Sequence, residues 1–421
     1  MRNFGDLNDV ADHCTVCHKC HNPCPVNIDF GDVSIRMRKI LKQRGQKHLN
    51  IGSWAAMLFL NVKQPGTIRA LRIGMAQLGF AGINIAHALA KRTGLLGRGN
   101  RVPPSTTGHT AVSQQLVNLV RKPMRAHVPS KPMRALLGAE DRSQVVILRD
   151  PQKTTNESDA VFYFPGCGSE RLFSQIGLAT LAMLYQSGAK TVLPPGYMCC
   201  GYPQTAAGDA DKGHAITTEN RVLFHRVANT LNYLDIKTVI VSCGTCMDQL
   251  LKYEFNRIFP GCRLLDIHEY LLEQGISLQG ENSTRYLYHD PCHTPMKSYN
   301  PLKVASTLLG QDVLPSDRCC GESGTLGTAR PDIAEQLRYR KRQELHQDLV
   351  QLTGESVTMP GKIKLLTSCP ACQQGLSRYT DDTGLETDFI VVELCKHNLG
   401  ENWQHEFVVS ANAGGIERVL L

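Results

Sequence analysis

Short apolar runs alternate with longer helical patterns through the second half of the chain. Four runs combine β-branched and aromatic residues at strand length: 160–164, 238–241, 285–288 and 363–366. Three segments between them have the spacing of helices: 172–185, 221–233 and 333–345. Because strand and helix alternate, the pattern predicts parallel α/β sheets, whose ligands gather at the carboxyl ends of the strands.

The first half of the chain has a different pattern. A helical run covers 33–41, and two apolar stretches follow at 51–62 and 73–90. The first stretch is too short to span a bilayer, and polar residues at 77, 84 and 87 interrupt the second. We therefore predict that both stretches form buried or interfacial helices.

The cysteines after residue 159 recur in matched order at a separation of about 120 to 126 residues. Each copy has a single cysteine, then a Cys-Cys-Gly triplet, then a Cys-x2-Cys pair. The first copy consists of Cys167, Cys199, Cys200, Cys243 and Cys246, and the second consists of Cys292, Cys319, Cys320, Cys369 and Cys372. Such self-similarity predicts two domains of one kind.

These patterns divide the chain into four predicted parts. Residues 1–98 hold a dense cysteine group and the helical runs, and 99–158 are a basic, proline-rich linker. The two cysteine-rich domains are predicted at 159–280 and 281–421. The linker prediction follows from weak periodicity and from the dipeptides Pro103-Pro104 and Lys131-Pro132.

A separate cysteine run opens the sequence, with the spacing of ferredoxin-type four-iron clusters. Its residues are Cys14, Cys17, Cys20 and Cys24, followed by Pro25. In two-cluster ferredoxins the fourth cysteine of such a run serves the other cluster, which needs a second run. The sequence has no second run. Either Cys24 closes a single cluster, or the partner run lies on another polypeptide or on a preceding portion of a longer chain.

The adjacent cysteines of the repeat favour iron over zinc. Neighbouring side chains diverge, so Cys199 and Cys200 cannot easily bind one ion, but they can reach different irons of a cluster. Gly201 and Gly321 follow the two pairs and could adopt positive φ, letting the backbone approach a cluster. The competing interpretations are buried structural thiols, disulfides, or a zinc-stabilised scaffold. Cys262 and Cys395 fall outside the sets and are expected to be small apolar residues.

The sixteen cysteines and the uneven charge distribution indicate the cellular compartment and the kind of partner. The start lacks a secretory signal, so the thiols are expected to stay reduced in the cytoplasm. The net charge is +8, yet residues 31–135 hold 18 Lys and Arg and one acid. This segment suits anionic lipid on the inner face of the cytoplasmic membrane or an acidic flavoprotein. Nucleic acid is not expected as a partner, because no recognisable binding motif is present.

The basic residues that could contact lipid headgroups lie along the first helices. They are Arg36, Arg38, Lys39, Lys42, Arg44, Lys47, Arg69 and Arg72. Beside the second cysteine set, His289, Asp290 and His293 could supply hydrogen bonds that tune a cluster, or could simply form a turn. Both alternatives stay open at this level.

The repeated Cys-Cys-Gly and Cys-x2-Cys pattern resembles the CCG cysteine-rich domains of a family of iron–sulfur oxidoreductases. It is similar to the heterodisulfide reductase B subunit and to iron–sulfur subunits of glycolate oxidase, lactate-utilisation enzymes and anaerobic glycerol-3-phosphate dehydrogenase. The run from Cys14 to Pro25 in front matches the glycolate and glycerol-3-phosphate subunits best. The order also resembles the C-terminal part of fused FAD-linked oxidases, in which a flavin domain precedes it.

The resemblance implies a fold and a function. The fold would be α/β: an α-helical ferredoxin-like module, then two tandem cysteine-rich α/β domains related by pseudo-twofold symmetry, with clusters near their interface. A partner with FAD would oxidise a D-2-hydroxy acid or glycerol 3-phosphate, and this chain would relay electrons to quinone or another acceptor. The alternative is a thiol-disulfide reductase with a cluster as its active site.

The resemblance also implies the ligands. The cysteines at 14, 17, 20 and 24 would hold a ferredoxin-type 4Fe-4S cluster, and each five-cysteine set would hold another, non-cubane in the heterodisulfide relative. The sequence departs from that relative in spacing, with 42 residues between Cys200 and Cys243 and 48 between Cys320 and Cys369. The cysteine pattern therefore predicts that clusters are present but does not define their type. No Gly-x-Gly-x-x-Gly follows a strand, which favours FAD on a partner.

Overall fold

The structure is a computed structural model that describes residues 4–96, 102–106, 111–126, 128–278, 283–322 and 326–421. Helices dominate the first part of the chain, and two separate β-sheets with flanking helices form the rest. The mixed α/β class predicted from the alternating pattern is confirmed.

The first part contains seven helices: α1 Leu7–Asp12, α2 Phe30–Gln43, α3 Ile51–Asn61, α4 Pro65–Leu71, α5 Gly79–Arg92, α6 Val112–Val120 and α7 Met133–Leu136. A π-helical segment, Arg72–Leu78, joins α4 to α5 in one continuous helix. Side-chain caps explain two of the starting points. Asp29 accepts a hydrogen bond from the Gly31 amide at the start of α2, and Asn50 accepts one from Ser53 at the start of α3.

The strands and the remaining helices follow in alternation. The strands are β1 Gln144–Leu148, β2 Ala160–Phe164, β3 Lys190–Leu193, β4 Ile236–Val241, β5 Arg263–Asp266, β6 Arg285–His289, β7 Leu314–Pro315, β8 Ile363–Thr367, β9 Glu386–Phe389 and β10 Ile416–Leu420. The helices are α8 Ser174–Gln186, α9 Tyr202–Ala206, α10 Ala210–Thr230, α11 Gly244–Leu250, α12 Phe255–Ile258, α13 Ile267–Glu273, α14 Pro301–Leu309, α15 Leu326–Ala329, α16 Pro331–Thr353, α17 Pro370–Leu376, α18 Thr380–Thr383, α19 Ile390–Leu399 and α20 Trp403–Ser410. All four predicted strand runs are confirmed, as β2, β4, β6 and β8.

Each sheet has a parallel centre. The first has the order β10-β1-β3-β2-β4-β5, and the second has the order β7-β6-β8-β9. Strands β3, β2, β4 and β5 run parallel to one another, as do all four strands of the second sheet. Parallel alignment brings the carboxyl ends of these strands to one edge of each sheet.

The first sheet includes two strands, β1 and β10, that lie outside the predicted first domain. Strand β1 lies in the segment expected to be a linker, and β10 lies near the end of the predicted second domain. Both pair antiparallel, β1 with β3 and β10 with β1. The sequence signal for β10 was weak because this edge strand is half exposed along its length. The 99–158 segment also contains α6 and α7, so it holds regular structure.

One hydrophobic core runs from the first sheet to the second. It includes Val161 and Tyr163 of β2 together with Tyr286 and Tyr288 of β6. Helix α8 lies in this core, and every residue from Ser174 to Tyr185 is buried. A helix that is apolar on all sides is expected only where it is covered on all sides. The two sheets are therefore joined by shared packing.

The apolar helices of the first part are largely exposed. By length and composition, Pro65–Arg92 is the one helix in the described chain that could cross a membrane, and 12% of its most apolar window is buried. Its polar residues hold it against the body of the protein. Asn84 exchanges two hydrogen bonds with the Met124 backbone, and His87 bonds the Val120 carbonyl oxygen. These contacts hold the helix against the rest of the protein, while its apolar surface is largely exposed.

Part of the basic segment is used inside the fold. The Arg38 guanidinium donates to the carbonyl oxygens of Ala11, Cys14 and Ala206. Arg72 is buried and donates to the carbonyl oxygens of Pro129 and Leu172. These two side chains, predicted to face lipid, instead satisfy backbone acceptors at the ends of neighbouring elements.

Gly244 lies where the backbones of the two cysteine-rich halves come close together. A Cβ at this position would lie 1.5 Å from the His293 carbonyl oxygen, a backbone atom that cannot move alone. We predict that Gly244→Ala lowers the free energy of unfolding by at least about 2 kcal/mol, because the two segments must separate. Urea unfolding followed by circular dichroism measures this.

Gly66→Ala is the matched control. Nothing lies within 4 Å of a Cβ added to Gly66, which lies in helix α4. This variant should be neutral or slightly stabilised, since alanine is the better helix former. Equal unfolding midpoints for the two variants would contradict the close approach.

Candidate functional site

The repeated cysteines lie at the carboxyl ends of parallel strands. Cys167 follows β2, and Cys243 and Cys246 follow β4. In the second sheet, Cys292 follows β6, and Cys369 and Cys372 follow β8. The Cys-Cys-Gly triplets come after β3 and β7. This is the sheet edge where the alternating pattern predicted a ligand site.

The five thiols of the first set form a line of contacts. Cys167 hydrogen bonds to Cys199, which also contacts its neighbour Cys200. Cys200 contacts Cys246, and Cys246 contacts Cys243. The first set predicted from sequence is therefore brought together.

The second set repeats the same arrangement. Cys292 hydrogen bonds to Cys319, which contacts Cys320. The Cys320 and Cys372 sulfurs are 3.4 Å apart, and Cys372 in turn contacts Cys369. The order of contacts matches that of the first set.

Two further contacts join the sets to each other and to the N-terminal run. The Cys243 thiol interacts with that of Cys369, so the Cys-x2-Cys pairs of the two sets are neighbours. The Cys17 thiol interacts with that of Cys292 at the other end of the second set. Eleven thiols thus form one continuous line from the N-terminal run through both sheets.

Backbone amides also point at these sulfurs. The Gly321 amide donates to the Cys319 sulfur at 3.4 Å, and the Gly201 amide donates to Cys199. Both glycines have positive φ, +76° for Gly321 and +89° for Gly201, as the sequence predicted. Amide donors stabilise a thiolate, which is the form that binds metal.

The contacts between thiols lower the pKa of some cysteines in the line and raise the pKa of others. A hydrogen bond from Cys292 lowers the pKa of Cys17 to about 5, and the same contact raises the pKa of Cys292. Thiol contacts also lower the pKa of Cys243 and, together with burial, raise that of Cys246. Thiolates packed this closely repel one another unless cations lie between them.

The donor set fits multinuclear iron–sulfur clusters. All sixteen cysteines are free, which excludes disulfides in this structure. Adjacent sulfurs such as those of Cys199 and Cys200 suit different irons of one cluster. Cys395 lies apart from the line, fully buried with its thiol directed to the Ala179 carbonyl oxygen, as expected of a small apolar residue.

The loop that contains the N-terminal cysteine run has an unusual backbone conformation and hydrogen bonds from its amides to its sulfurs. Val16, His18 and Asn27 have φ near +55°, an uncommon conformation for residues other than glycine. The Val16 and Ile28 amides donate to the sulfurs of Cys14 and Cys24 at 3.3 Å.

Among the described residues, no three thiols of this run lie within 4.8 Å of one another. Cysteines that cap separate irons need not be so close.

His293 clamps this loop to both cysteine-rich halves. Its Nε2 donates to the Val16 carbonyl oxygen at 2.8 Å, and its Nδ1 donates to Asp248 at 2.5 Å. Burial lowers the pKa of His293, but Asp248 outweighs burial and raises it. Tyr202 also donates to the Val16 oxygen, at 3.2 Å. His293 is thus an ion-paired positioning residue.

His289 and Asp290 differ from His293 in their environments. His289 is buried, its Nδ1 lies 2.9 Å from the Ser316 carbonyl oxygen, and burial lowers its pKa to about 3. Asp290 accepts a hydrogen bond from Tyr288 at 3.1 Å. His289 therefore faces the second set as a neutral ring, whereas Asp290 serves the turn after β6.

Buried charges beside the second set were missed by sequence reasoning. Glu322 is 3% exposed and accepts hydrogen bonds from Arg338 and Gln374, both at 2.9 Å. Lys341 is fully buried and donates to Ser316 and Glu344. The spacing predicted a helix over 333–345, but Arg338 and Lys341 are charged residues, which usually face solvent, so nothing in the sequence indicated that they face inward.

Surface clefts reach one cysteine of each triplet. A cleft of about 770 Å³ is lined by Cys199, by Glu219 and by five cationic residues: Lys63, Arg142, Arg171, Lys212 and Arg226. Glu219 forms an ion pair with Lys63. A smaller one, about 340 Å³, is lined by Cys319 with Arg318, Leu337 and Arg340. Both clefts suit an anionic group close to a sulfur.

Comparison with known families agrees with this geometry. The cysteine-rich domain family CCG matches residues 161–251 and 286–377, which confirms the two repeats. A domain family of unknown function, DUF3400, matches residues 377–421.

Several relatives are iron–sulfur proteins or oxidoreductase subunits. An uncharacterised iron–sulfur protein of Methanococcus maripaludis is 25% identical over 57% of this chain and 46% of its own length. The B subunit of the fumarate reductase (CoM/CoB) of Methanothermobacter marburgensis is 27% identical over 55% of this chain and 44% of its own. The "Probable glycolate oxidase iron-sulfur subunit" of Bacillus subtilis is 24% identical over 76% of this chain and 68% of its own.

The match spans about half the length of the first two relatives. The resemblance to iron–sulfur components of oxidoreductases, predicted from the cysteine pattern, is confirmed.

Glu322 should govern the stability of the second cysteine-rich half. Burial alone would raise its pKa, but Arg338 and Arg378 outweigh burial and lower it. Glu322→Gln leaves both guanidinium groups without their buried counter-ion and should cost about 3–5 kcal/mol at neutral pH. The ion pair contributes above the ordinary pKa of glutamate and is lost as pH falls through the lowered one, so the variant should lose less stability in acid.

Urea unfolding at neutral and acidic pH measures both effects. Asp381→Asn is the control, because Asp381 pairs with Arg125 at the surface and should cost at most about 1 kcal/mol. If the two variants lose the same stability, the Glu322 cluster has no special role.

Proposed function

We propose that this chain, an iron–sulfur protein with two CCG cysteine-rich domains, is the electron-transfer component of a flavin-dependent dehydrogenase. The observation that carries the proposal is the continuous line of eleven thiols. Clusters held along such a line would be close enough to pass electrons from one to the next. A scaffold whose metal only stabilises the fold has no need of contact between its metal sites.

The proposed ligands are the fourteen cysteines of the three motifs. Cys14, Cys17, Cys20 and Cys24 would hold a ferredoxin-type 4Fe-4S cluster in an N-terminal ferredoxin-like module. Cys167, Cys199, Cys200, Cys243 and Cys246 would hold a second cluster, and Cys292, Cys319, Cys320, Cys369 and Cys372 a third. The matched contact order of the two sets supports their pseudo-twofold relation. The clusters supply reversible one-electron chemistry.

We propose that FAD lies on a partner subunit or domain. That partner would oxidise a D-2-hydroxy acid such as glycolate or lactate, or glycerol 3-phosphate. The similarity to a glycolate oxidase iron–sulfur subunit supports the first class. Quinone is the proposed acceptor, although another carrier would serve the same line of clusters.

A second candidate function is a thiol-disulfide reductase with a cluster as the active site. The cationic cleft at Cys199 favours it, because an anionic disulfide could approach a ligand sulfur there. The similarity to the B subunit of a fumarate reductase (CoM/CoB) is compatible with this candidate. Turnover that depends on an added disulfide would support the reductase over the conduit.

We further propose that the exposed apolar helices rest on a membrane surface. Trp54 of α3 is 58% exposed, and Ile85 and Leu89 of α5 are 62% and 59% exposed. Ile85 and Leu89 are four residues apart and so share one helix face. Exposed Lys91 and Arg92 lie at the end of this helix, within reach of anionic headgroups.

Metal analysis tests the electron-transfer proposal. Anaerobically purified protein should contain iron and acid-labile sulfide in equal amounts, about twelve of each per chain for three four-iron clusters. Cys320→Ser should lose the iron of one cluster, about a third of the total, because Cys320 lies inside the second set. Cys395→Ser should retain all of it, because that thiol contacts only core residues. Zinc without sulfide, or full iron in Cys320→Ser, would contradict the proposal.

Vesicle sedimentation tests the membrane proposal. The wild-type protein should sediment with phosphatidylglycerol vesicles, and the double variant Ile85→Glu, Leu89→Glu should stay in solution. Val222→Glu is the control, because Val222 is 57% exposed but lies on α10. Unchanged sedimentation of the double variant would reject the lipid surface and favour a flavoprotein as the occupant of this face.

A further inference from the structure

His289 presents an unpartnered nitrogen to the second cysteine set. Its Nδ1 lies 2.9 Å from the Ser316 carbonyl oxygen, which can only accept a hydrogen bond. The ring proton therefore resides on Nδ1, and Nε2 carries a lone pair. Among the described residues, Nε2 is buried and has no hydrogen-bond partner.

Two cysteine sulfurs of the second set lie close to the His289 ring. A ring nitrogen of His289 and the sulfurs of Cys320 and Cys372 all lie within 4.8 Å of one another, and all three residues are buried. Metal–donor distances are about 2.0–2.3 Å, so three donors this close are within reach of one ion. A buried ring nitrogen without a hydrogen-bond partner is left unsatisfied unless an ion binds it.

The position of the His289 ring is also fixed on its Nδ1 side. Buried Lys341 donates to the Ser316 carbonyl oxygen at 2.9 Å and to the Ser316 hydroxyl at 2.7 Å. It thereby fixes the carbonyl that orients His289. A histidine ligand is commonly oriented in this way, by a backbone carbonyl that accepts from its other nitrogen.

The first set has a phenylalanine at the position that matches His289. His289 ends β6 three residues before Cys292, and the matching residue at the end of β2, three residues before Cys167, is Phe164. Phe164 lies in the apolar core, with its ring centroid 6.1 Å from that of Phe224. The two copies therefore diverge where the strand meets the cluster site.

We propose that His289 Nε2 is a ligand to iron in the cluster held by the second cysteine set, which makes that cluster a mixed nitrogen–sulfur centre. This inference rests on the proposed iron–sulfur function. The neutral imidazole would take the place of one of the five proposed thiolate ligands at its iron, which reduces the negative charge on the cluster and raises its reduction potential, as in other clusters with histidine ligands. The two repeats would then differ in potential, with electrons held preferentially at the second.

Pulsed EPR with nitrogen labelling tests the ligand directly. Protein with ¹⁵N-histidine should show a strong ¹⁵N coupling to a paramagnetic cluster, which unlabelled protein shows as ¹⁴N. Iron and sulfide are measured on the same sample. If they are absent, the proposed function fails. If they are present and no histidine coupling appears, the ligand assignment alone is overturned.

Three variants extend the test. His289→Phe, which copies the first repeat, should lose the coupling, whereas His289→Cys should retain the cluster with a lowered reduction potential. His346→Phe, a surface change on α16 away from the cysteines, should keep both coupling and potential. A coupling that survives in His289→Phe would overturn the assignment. Should these variants not fold, the labelled wild-type protein still decides the question.

Discussion

The contact between Cys243 and Cys369 is the constraint on which the rest of the site depends. These residues follow inner strands of two different sheets. For their sulfurs to meet, the carboxyl ends of the two sheets must face each other. Gly244 permits this approach, since only a hydrogen lies where the His293 carbonyl oxygen comes near. The buried helix α8 and the core shared by β2 and β6 hold the sheets in that position.

Charge is arranged differently around the N-terminal cysteine run and around the second cysteine set. At the N-terminal run, the His293–Asp248 pair and Arg38 fix the backbone of a strained loop through its carbonyl oxygens. In the second set, Glu322 and Arg338 form an ion pair that is almost completely buried. The first arrangement positions one loop against two domains, and the second stabilises the domain around its cysteines.

The sequence predicted the cysteine sets, the parallel strands and the positive φ of Gly201 and Gly321, because spacing and residue type carry that information directly. It did not predict β10, since a half-exposed edge strand has no apolar run, nor the inward faces of Arg338 and Lys341 on a polar helix. The contact of Cys17 with Cys292 spans most of the chain and depends on tertiary packing alone. The free nitrogen of His289 likewise depends on the Ser316 carbonyl, which sequence spacing cannot place.

The pairing of β10 with β1 has a consequence for how the molecule is made. The first sheet is closed at one edge by residues 416–420, although its other strands lie between residues 144 and 266. During synthesis the β1 edge therefore remains uncovered while all of the second sheet is translated. The first sheet is completed only after residues 416–420 have left the ribosome.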